Sequence, residues 1–188
     1  MSGDRAQRAS THVAVLMGGW SAEREVSLSS GKGCADALEA EGFRVTRVDV
    51  DRNIAATLAA LKPDVCFNAL HGRWGEDGCV QGLLEVLGIP YTHSGVLASS
   101  LAMHKEQTKR VVAKLGVPVA EALMVTPAAA LADHQMSPPY VAKPIAEGSS
   151  VGVVIVTEGA NRPPEAIGRI PVTRDNEIMV ERFIAGRE

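Results

Sequence analysis

The sequence has no apolar stretch approaching the roughly 20 residues needed to cross a bilayer, and no long basic run that could neutralise a nucleic-acid backbone. It has only three cysteines, which are widely spaced and lack a CxxC partner, so we expect reduced thiols in a cytoplasmic protein. The five histidines lack the spacing of zinc ligands. A membrane protein, a nucleic-acid-binding protein and a structural metal site are therefore disfavoured.

Hydrophobic residues make up 46% of the 188 positions, and the formal net charge is −3. A chain of this length and composition can bury one large core or two smaller ones, as expected for a soluble globular protein. The first eleven residues include basic side chains with no apolar segment behind them, so we interpret residues 1–11 as a mobile tail.

Short β-rich runs alternate with helical patterns from residue 12 to about residue 96, an order typical of parallel strands joined by crossover helices. The predicted strands are HVAVLM, FRVTRVDV and PDVCFNAL. The helix after the first strand ends at Gly42, and a later helix carries an apolar stripe that begins at Val80. The sequence therefore predicts a parallel, doubly wound α/β domain over residues 12–96.

Strands outnumber helices in the second half of the sequence. After a helical pattern that ends at Gly116, four short strand-like runs follow, EALMVT, PYVAKP, VGVVIV and EIMVERF, with one brief helix, PPEAIG, among them. We interpret ALADHQMSPP, before Tyr140, as a surface connection. The sequence predicts a second, α+β domain over residues 97–188.

The stretch GGWSAEREVSLSSGK follows the first predicted strand, where a glycine-rich turn usually binds a phosphate. It fits neither GxGxxG nor GxxxxGK[ST], because Glu23 and Val26 stand where those patterns need glycine. At the carboxyl edge of an open α/β sheet a carboxylate suits a cation, so Glu23 is a candidate to hold an ammonium group. The alternative is that Glu23 and Glu25 only favour the helix start through the helix dipole.

The loop HGRWGEDG follows the third predicted strand and occupies the equivalent position. It combines His71 and Arg73 with two acids, Glu76 and Asp77, and its glycines let the backbone approach a small ligand. In the alternative interpretation the two acids are helix-start residues, and Asp77 is an N-cap.

The segment VAKPIAEGSSVGV joins two predicted strands. The first strand ends at Lys143, and the loop carries Glu147, Ser149 and Ser150. Backbone donors, two hydroxyls and a lysine can surround nucleotide phosphates, whereas an ordinary glycine–serine hairpin is the alternative. Lys105, on the preceding helix, offers a second cation.

The segment VERFIAGRE places two carboxylates, Glu181 and Glu188, around the apolar Phe183 and Ile184. An apolar slot flanked by carboxylates can accept an adenine amino group and ribose hydroxyls. Strand ends without a ligand often have the same pattern.

Five segments, taken in this order, resemble the D-alanine:D-alanine ligase family of ATP-grasp carboxylate–amine ligases. They are AVLMGGWSAEREVSLSSG, NALHGRWGEDGCVQGLLEVLGIPYTHSGVLASSLAMHK, VPVAEALMV, YVAKPIAEGSSVGV and VERFIAGRE. They extend from about residue 12 to residue 188. SAEREVS, LHGxxGEDG and EGSSVG together are very specific, whereas AKP and the adenine segment are shared by many ATP-grasp proteins.

The resemblance implies ATP-dependent joining of two D-alanines through an acyl phosphate, for peptidoglycan precursor synthesis. It implies that Glu23 contacts the ammonium of the first D-alanine and that His71 lines the same site. It also implies that Ser149 helps to hold the substrate and a mobile lid, with Ser150 beside it. Glu23 and Ser149 are therefore the catalytic candidates.

For the cofactors, the resemblance implies ATP with Mg²⁺, or Mn²⁺ in its place. Lys105 and Lys143 match the lysines that bind the ATP phosphates. The other residues expected around the nucleotide are Glu147, Ser150, Glu181, Phe183, Ile184 and Glu188. Small-molecule substrates, a cytoplasmic location and a homodimer are also implied.

The sequence departs from the family at three places. At residues 103–105, MHK replaces a commoner Met-Asp-Lys. Trp74 stands where the family often has glycine, and we expect it to alter the packing of the loop. The sequence ends at Glu188, before the family's lid tyrosine, the arginine near the transferred phosphoryl group and the Mg²⁺ ligands. We therefore expect an ATP-grasp central subdomain truncated before the final one, with no metal ligand in these residues. A ligase for D-lactate or D-serine and an inactive fragment or binding module are the alternatives.

Overall fold

The computed structural model describes residues 2–172 and 176–187. The chain forms two compact units, residues 1–100 and 101–188. No helix in the described part of the chain is long and apolar enough to cross a membrane. The functional domains expected from the sequence, a substrate-binding domain over residues 12–96 and a central ATP-grasp subdomain over residues 97–188, stay predictions.

The first unit contains a parallel three-stranded sheet with the strand order β2–β1–β3. The strands are β1 (His12–Gly18), β2 (Arg44–Val50) and β3 (Val65–Asn68). The helices that begin in this unit are α1 (Ser2–Ser10), α2 (Arg24–Ala40), α3 (Ile54–Leu61), α4 (Cys79–Leu87) and α5 (Val96–Met103). This order of elements agrees with the alternation predicted from the sequence.

Strand β1 is buried along its whole length because helices cover both faces of the sheet. Successive side chains point to opposite faces, so Val15 and Leu16 belong to different cores. Val15 packs in the core that includes Ala35 of α2, and Leu16 packs in the core that includes Leu58 of α3 and Leu84 of α4. The predicted doubly wound α/β arrangement is therefore confirmed.

Helix α1 changes the interpretation of the first eleven residues. We expected a mobile tail, whereas Ser2–Ser10 form a helix. The guanidinium of Arg8 forms an ion pair with Glu41 and lies 5.9 Å from the ring centroid of Phe43. This correction has a tertiary cause, because the residues that hold Arg8 lie more than thirty positions away.

The second unit contains an antiparallel sheet with the strand order β4–β7–β5–β6. The strands are β4 (Ala122–Val125), β5 (Tyr140–Lys143), β6 (Val154–Val156) and β7 (Ile178–Arg182). The helices are α6 (Lys105–Lys114), α7 (Pro127–Ala132) and a 3-10 helix (Glu165–Arg169). The buried core includes Tyr140, Val156, Ile167 and Val180, so this unit is α+β, as predicted.

Two local features differ from the sequence prediction. The long helical pattern after residue 96 is interrupted at His104, which is extended and whose Nδ1 accepts a hydrogen bond from the Gln107 N–H at 3.3 Å as the N-cap of α6. The predicted connection ALADHQMSPP begins inside α7, which starts at Pro127 and is capped by the hydroxyl of Thr126.

Candidate functional site

The loop after β1 and the HGRWGEDG loop after β3 meet at the carboxyl edge of the parallel sheet in the first unit. Glu23 directly precedes α2 and is only 8% exposed. A Cβ atom added to Gly72, in the HGRWGEDG loop, would lie 2.2 Å from Glu23 Oε2. The carboxylate of Glu23 therefore packs against the backbone of that loop. Glu23 is the N-cap residue of α2, yet its side chain makes no capping hydrogen bond, which weakens the interpretation of this acid as a helix-start residue.

His71 is held in place by two serine hydroxyls from the SAEREVSLSS stretch. The Ser21 hydroxyl donates a hydrogen bond to the His71 carbonyl at 2.9 Å, and Ser30 Oγ lies 3.0 Å from His71 Nε2. Ser30 also donates to the Val26 carbonyl at 2.9 Å. Because a hydroxyl has a single hydrogen, Ser30 then accepts from the Nε2–H of His71.

Ser27 joins the end of β1 to the segment that follows β3. Its side chain is fully buried, accepts a hydrogen bond from the Gly18 N–H at 2.9 Å and donates one to the Ala69 carbonyl at 2.7 Å. Sequence reasoning did not identify these serines as site residues. The spacing of Ser27 and Ser30, three positions apart on one face of a helix, is the pattern that could have indicated a shared neighbour.

The acids of the HGRWGEDG loop organise the loop itself. Glu76 accepts a hydrogen bond from the Gly72 N–H at 2.6 Å, and Asp77 accepts bonds from the N–H groups of Trp74 and Cys79, each at 3.0 Å. The alternative interpretation, in which Asp77 is the N-cap of α4, is wrong by one residue. The N-cap is Gly78, whose φ of 93° is unfavourable for residues with a Cβ atom.

Trp74 changes the packing at this edge. It has a left-handed φ of 74°, the backbone conformation that favours glycine. Its ring lies 5.8 Å from that of Trp20, and the guanidinium of Arg73 lies 4.7 Å from the Trp74 ring centroid. The indole therefore packs at the rim of the site.

Replacing Gly72 with alanine is expected to destabilise the first unit by about 2–4 kcal/mol and to displace the Glu23 carboxylate. The new Cβ adds a steric clash to the strain of a φ of 67°. Gly42→Ala is the matched control, because Gly42 also has a positive φ but has no atom within 4 Å of a new Cβ. Urea unfolding followed by tryptophan fluorescence should show a cost of only about 1 kcal/mol for the control. Equal costs would contradict the steric argument.

Lysines gather around one carboxylate in the second unit. Lys109 and Lys143 each donate a hydrogen bond to a different oxygen of Glu181, whose side chain is 15% exposed. Lys105 Nζ donates to the Glu147 carbonyl at 2.5 Å. Burial lowers the pKa of Lys105, and the charge of Lys143 lowers it further, whereas the charges of Glu147 and Glu181 oppose this change. Such a concentration of positive charge suits a polyanion.

The structure thus brings together four of the predicted nucleotide residues and adds a fifth. Lys105, Lys143 and Glu181 contribute side chains, and Glu147 contributes its backbone carbonyl. Lys109 was missed by the sequence interpretation. Its position four residues after Lys105, on the same face of α6, is the pattern that could have identified it.

The EGSSVG loop forms an exposed turn. Ser149 and Ser150 have φ values of 44° and 59°, and the turn is closed by a hydrogen bond from the Val151 N–H to the Gly148 carbonyl at 3.0 Å. Both serine side chains are exposed. This exposed turn lies between β5 and β6, as expected for a loop that contacts a ligand.

The segment after β7 is more open than the predicted adenine slot. Phe183 is 37% exposed and Ile184 is 66% exposed. Glu188, also predicted for the nucleotide, lies outside the described residues. Within residues 2–172 and 176–187, no group of three or more His, Cys, Asp or Glu side chains could hold a metal ion.

The first unit is a parallel α/β unit, and the second is an antiparallel unit with a lysine cluster beside a glycine–serine turn. This is the architecture of an ATP-grasp ligase. Family models described as D-ala D-ala ligase N-terminus and D-ala D-ala ligase C-terminus match residues 53–94 and 111–188. The chain belongs to the D-alanine–D-alanine ligase family.

Individual relatives agree with this assignment. The chain is 63% identical over 177 residues to the D-alanine–D-alanine ligase of Parvibaculum lavamentivorans, covering 94% of this chain and 58% of the relative. It is 63% identical over 179 residues to D-alanine–D-alanine ligase B of Mesorhizobium japonicum, covering 95% of this chain and again 58% of the relative. The chain therefore spans less than two thirds of the length of these curated relatives.

The fold also matches solved structures. The crystal structure of D-alanine–D-alanine ligase from Bacillus anthracis has a TM-score of 0.74 and 28% identity, over 94% of this chain and 59% of that one. The same ligase complexed with ATP has a TM-score of 0.73 and 28% identity, over 94% of this chain and 60% of that one. The predicted family and fold class are thus confirmed.

Proposed function

We propose that the full-length protein is a D-alanine–D-alanine ligase that uses ATP and Mg²⁺ to make D-alanyl-D-alanine for peptidoglycan synthesis. The observation that carries this proposal is the buried carboxylate of Glu23 against the HGRWGEDG loop, in a chain 63% identical to such ligases. A cytoplasmic homodimer with only small-molecule substrates is part of the proposal.

The first unit would bind the first D-alanine. Glu23 offers a buried negative charge to the substrate ammonium, a charge-assisted interaction worth about 1.5–3 kcal/mol. His71, oriented by Ser21 and Ser30, lines the same site. Because the serines hold the loop before substrate arrives, little of the binding energy is used to order it.

The second unit would bind ATP. Lys105 and Lys143 face the phosphates, while Glu181 orients Lys143 and Lys109. Ser149 and Ser150 lie on the turn that would cover the phosphates and the substrate carboxylate. Mg²⁺ would supply further charge neutralisation, but no residue in the described ranges is proposed as its ligand.

The reaction has two steps. The carboxylate of the first D-alanine attacks the γ-phosphorus of ATP, and ADP leaves with the bonding electrons to give an acyl phosphate. The amine of the second D-alanine then attacks the acyl carbon, loses a proton and expels phosphate to form the peptide bond. Positioning and neutralisation of the phosphate charge contribute most to such a transfer.

Phosphate release by the full-length protein tests the proposed activity. We expect ATP consumption that requires both D-alanine and Mg²⁺, with D-alanyl-D-alanine identified by mass. Offering D-lactate and D-serine as second substrates distinguishes ligases for other acceptors. Equal rates of phosphate release with and without D-alanine would contradict the proposal.

Glu23→Gln is expected to weaken binding of the first D-alanine by about 10- to 100-fold, because the ammonium loses its charged partner. The affinity for ATP should change less than about twofold. Glu25→Gln is the matched control, since Glu25 is exposed in the first turn of the same helix. If both variants bind D-alanine alike, the two acids act only on the helix start.

A further inference from the structure

A cavity of about 130 Å³ lies at the carboxyl edge of the parallel sheet in the first unit. Its inner wall is apolar and includes Val50, Ile54, Leu70, Val80 and Leu83. This volume is close to that of an apolar protein cavity of about 150 Å³ that binds benzene. The cavity therefore has room for a group the size of one aromatic ring.

Glu23, the proposed ammonium ligand, does not line this cavity, although His71 and Ser21 do. The cavity is thus next to the proposed amino-acid site without including its charged group. The proposed ligase activity assigns it no ligand.

Two indoles form the outer part of the cavity. Trp20 and Trp74 both line it, and their ring centroids are 5.8 Å apart. Trp74 is held in its left-handed conformation by the hydrogen bond from its N–H to Asp77 and by the bond from the Val80 N–H to its carbonyl at 3.1 Å. The chain maintains this unfavourable backbone conformation at the place where the indole covers the cavity.

Two guanidinium groups lie beside the indoles. Arg73 lines the cavity and stacks on Trp74, and the guanidinium of Arg52 lies 5.1 Å from the Trp20 ring centroid. Neither arginine forms an ion pair with any residue in the ranges 2–172 and 176–187.

Three acidic side chains near the cavity have hydrogen-bond partners of their own. Asp49 pairs with Arg24, Glu76 accepts from a backbone N–H, and Asp77 accepts from two. Burial and a hydrogen bond with Asp77 raise the pKa of Cys79, which lines the cavity, to about 11, so its thiol is uncharged at neutral pH.

The geometry points to a binding site for a small carboxylate that carries an apolar group of about one ring. The apolar group lies between the two indoles and the aliphatic wall, and the carboxylate lies at Arg73, with Arg52 adding positive charge beside Trp20. Both halves of the ligand are needed, because the interior offers little to a charge and the mouth offers little to a neutral group.

Sodium benzoate is the probe, and the 188-residue chain reports its own occupancy because Trp20 and Trp74 are its only tryptophans. We expect a saturable change in tryptophan fluorescence with a Kd below about 10 mM, in the range for so small a ligand. Acetate, which lacks the ring, and benzyl alcohol, which lacks the charge, should each bind at least about 10-fold more weakly. Equal affinities for all three compounds, or no saturation by benzoate, would overturn the proposal.

Two substitutions locate the site. Leu83→Phe fills the cavity and should weaken benzoate binding at least about 10-fold. Val86→Phe adds a ring to the same helix at a side chain that is 86% exposed, and should change the Kd less than about twofold. Equal Kd values for these two variants would place benzoate elsewhere and overturn the assignment.

Arg73→Gln provides a test that does not disturb the core, because Arg73 is exposed. It should weaken benzoate about 10-fold while leaving the affinity for benzyl alcohol unchanged. An unchanged affinity for benzoate would overturn the role of Arg73 and with it the carboxylate half of the proposal, even if Leu83→Phe failed to fold. None of these measurements depends on ligase activity.

Discussion

Replacing Ser27 with alanine is expected to destabilise the first unit by about 2–4 kcal/mol. The hydroxyl is fully buried and serves two backbone groups, the Gly18 N–H and the Ala69 carbonyl. Alanine leaves both groups buried without their partner, and each unsatisfied group costs about 1–3 kcal/mol. Tryptophan fluorescence during urea unfolding measures this effect in the first unit, which contains both tryptophans.

The matched control is Ser29→Ala. Ser29 lies on the exposed side of the same helix, so its replacement should change the free energy of unfolding by less than about 0.5 kcal/mol. A Ser27→Ala variant as stable as Ser29→Ala would show that the two hydrogen bonds contribute nothing net. A large difference would show that this hydroxyl holds the end of β1 against the segment leading to His71.

Glu181→Ala is expected to destabilise the second unit by about 2–4 kcal/mol, somewhat below the 3–5 kcal/mol typical of fully buried pairs. The change leaves Lys109 and Lys143, whose side chains are 19% and 21% exposed, without the carboxylate that both contact. Lys105 lies close enough for its charge to act on that of Lys143. Circular dichroism during thermal or urea unfolding measures the loss.

Glu121→Ala is the control for this prediction. Glu121 pairs with Arg182 of β7, but both side chains are more than half exposed, so the pair should contribute less than about 1 kcal/mol. If Glu121→Ala and Glu181→Ala cost the same, burial does not strengthen the Glu181 cluster and the electrostatic argument fails.

The cost of Glu181→Ala should also depend on pH. Burial acts to raise the pKa of Glu181, but the hydrogen bonds and charges of Lys109 and Lys143 outweigh it and hold the pKa below the ordinary value of 4.5. A carboxylate with a lowered pKa in the folded state stabilises the fold above its unfolded pKa. This contribution is lost as the pH falls through the folded pKa. The difference between the unaltered chain and Glu181→Ala should therefore shrink below about pH 4.

Part of the candidate site could be predicted from the sequence. The strands ending before Gly19 and before Ala69 are parallel neighbours, so the loops that carry Glu23 and His71 had to emerge at the same sheet edge. Predicting this juxtaposition requires only the alternation of strands and helices. The same reasoning could not predict which hydroxyls fix His71, because that depends on how α2 is rotated over the sheet.

The second unit shows the same limit. The sequence pattern indicated that Lys143 ends a strand and that Glu181 belongs to another. Their contact depends on the antiparallel register of β5 and β7, in which Val141 lies opposite Glu181. Periodicity does not specify that register between distant strands, because it depends on packing on both faces of the sheet. The contribution of Lys109 likewise depends on where α6 docks.

The sequence by itself determined the two kinds of unit, the buried central strand and the positions of the chemically active loops. These properties follow from local periodicity, from turn residues and from the geometry of parallel strands. Only the tertiary structure decided that Ser27 and Ser30 hold the His71 loop, that Lys109 shares Glu181 with Lys143 and that Trp74 covers a cavity beside Trp20. Each of these contacts joins residues distant in sequence, and their side chains meet only after the helices and sheets have packed.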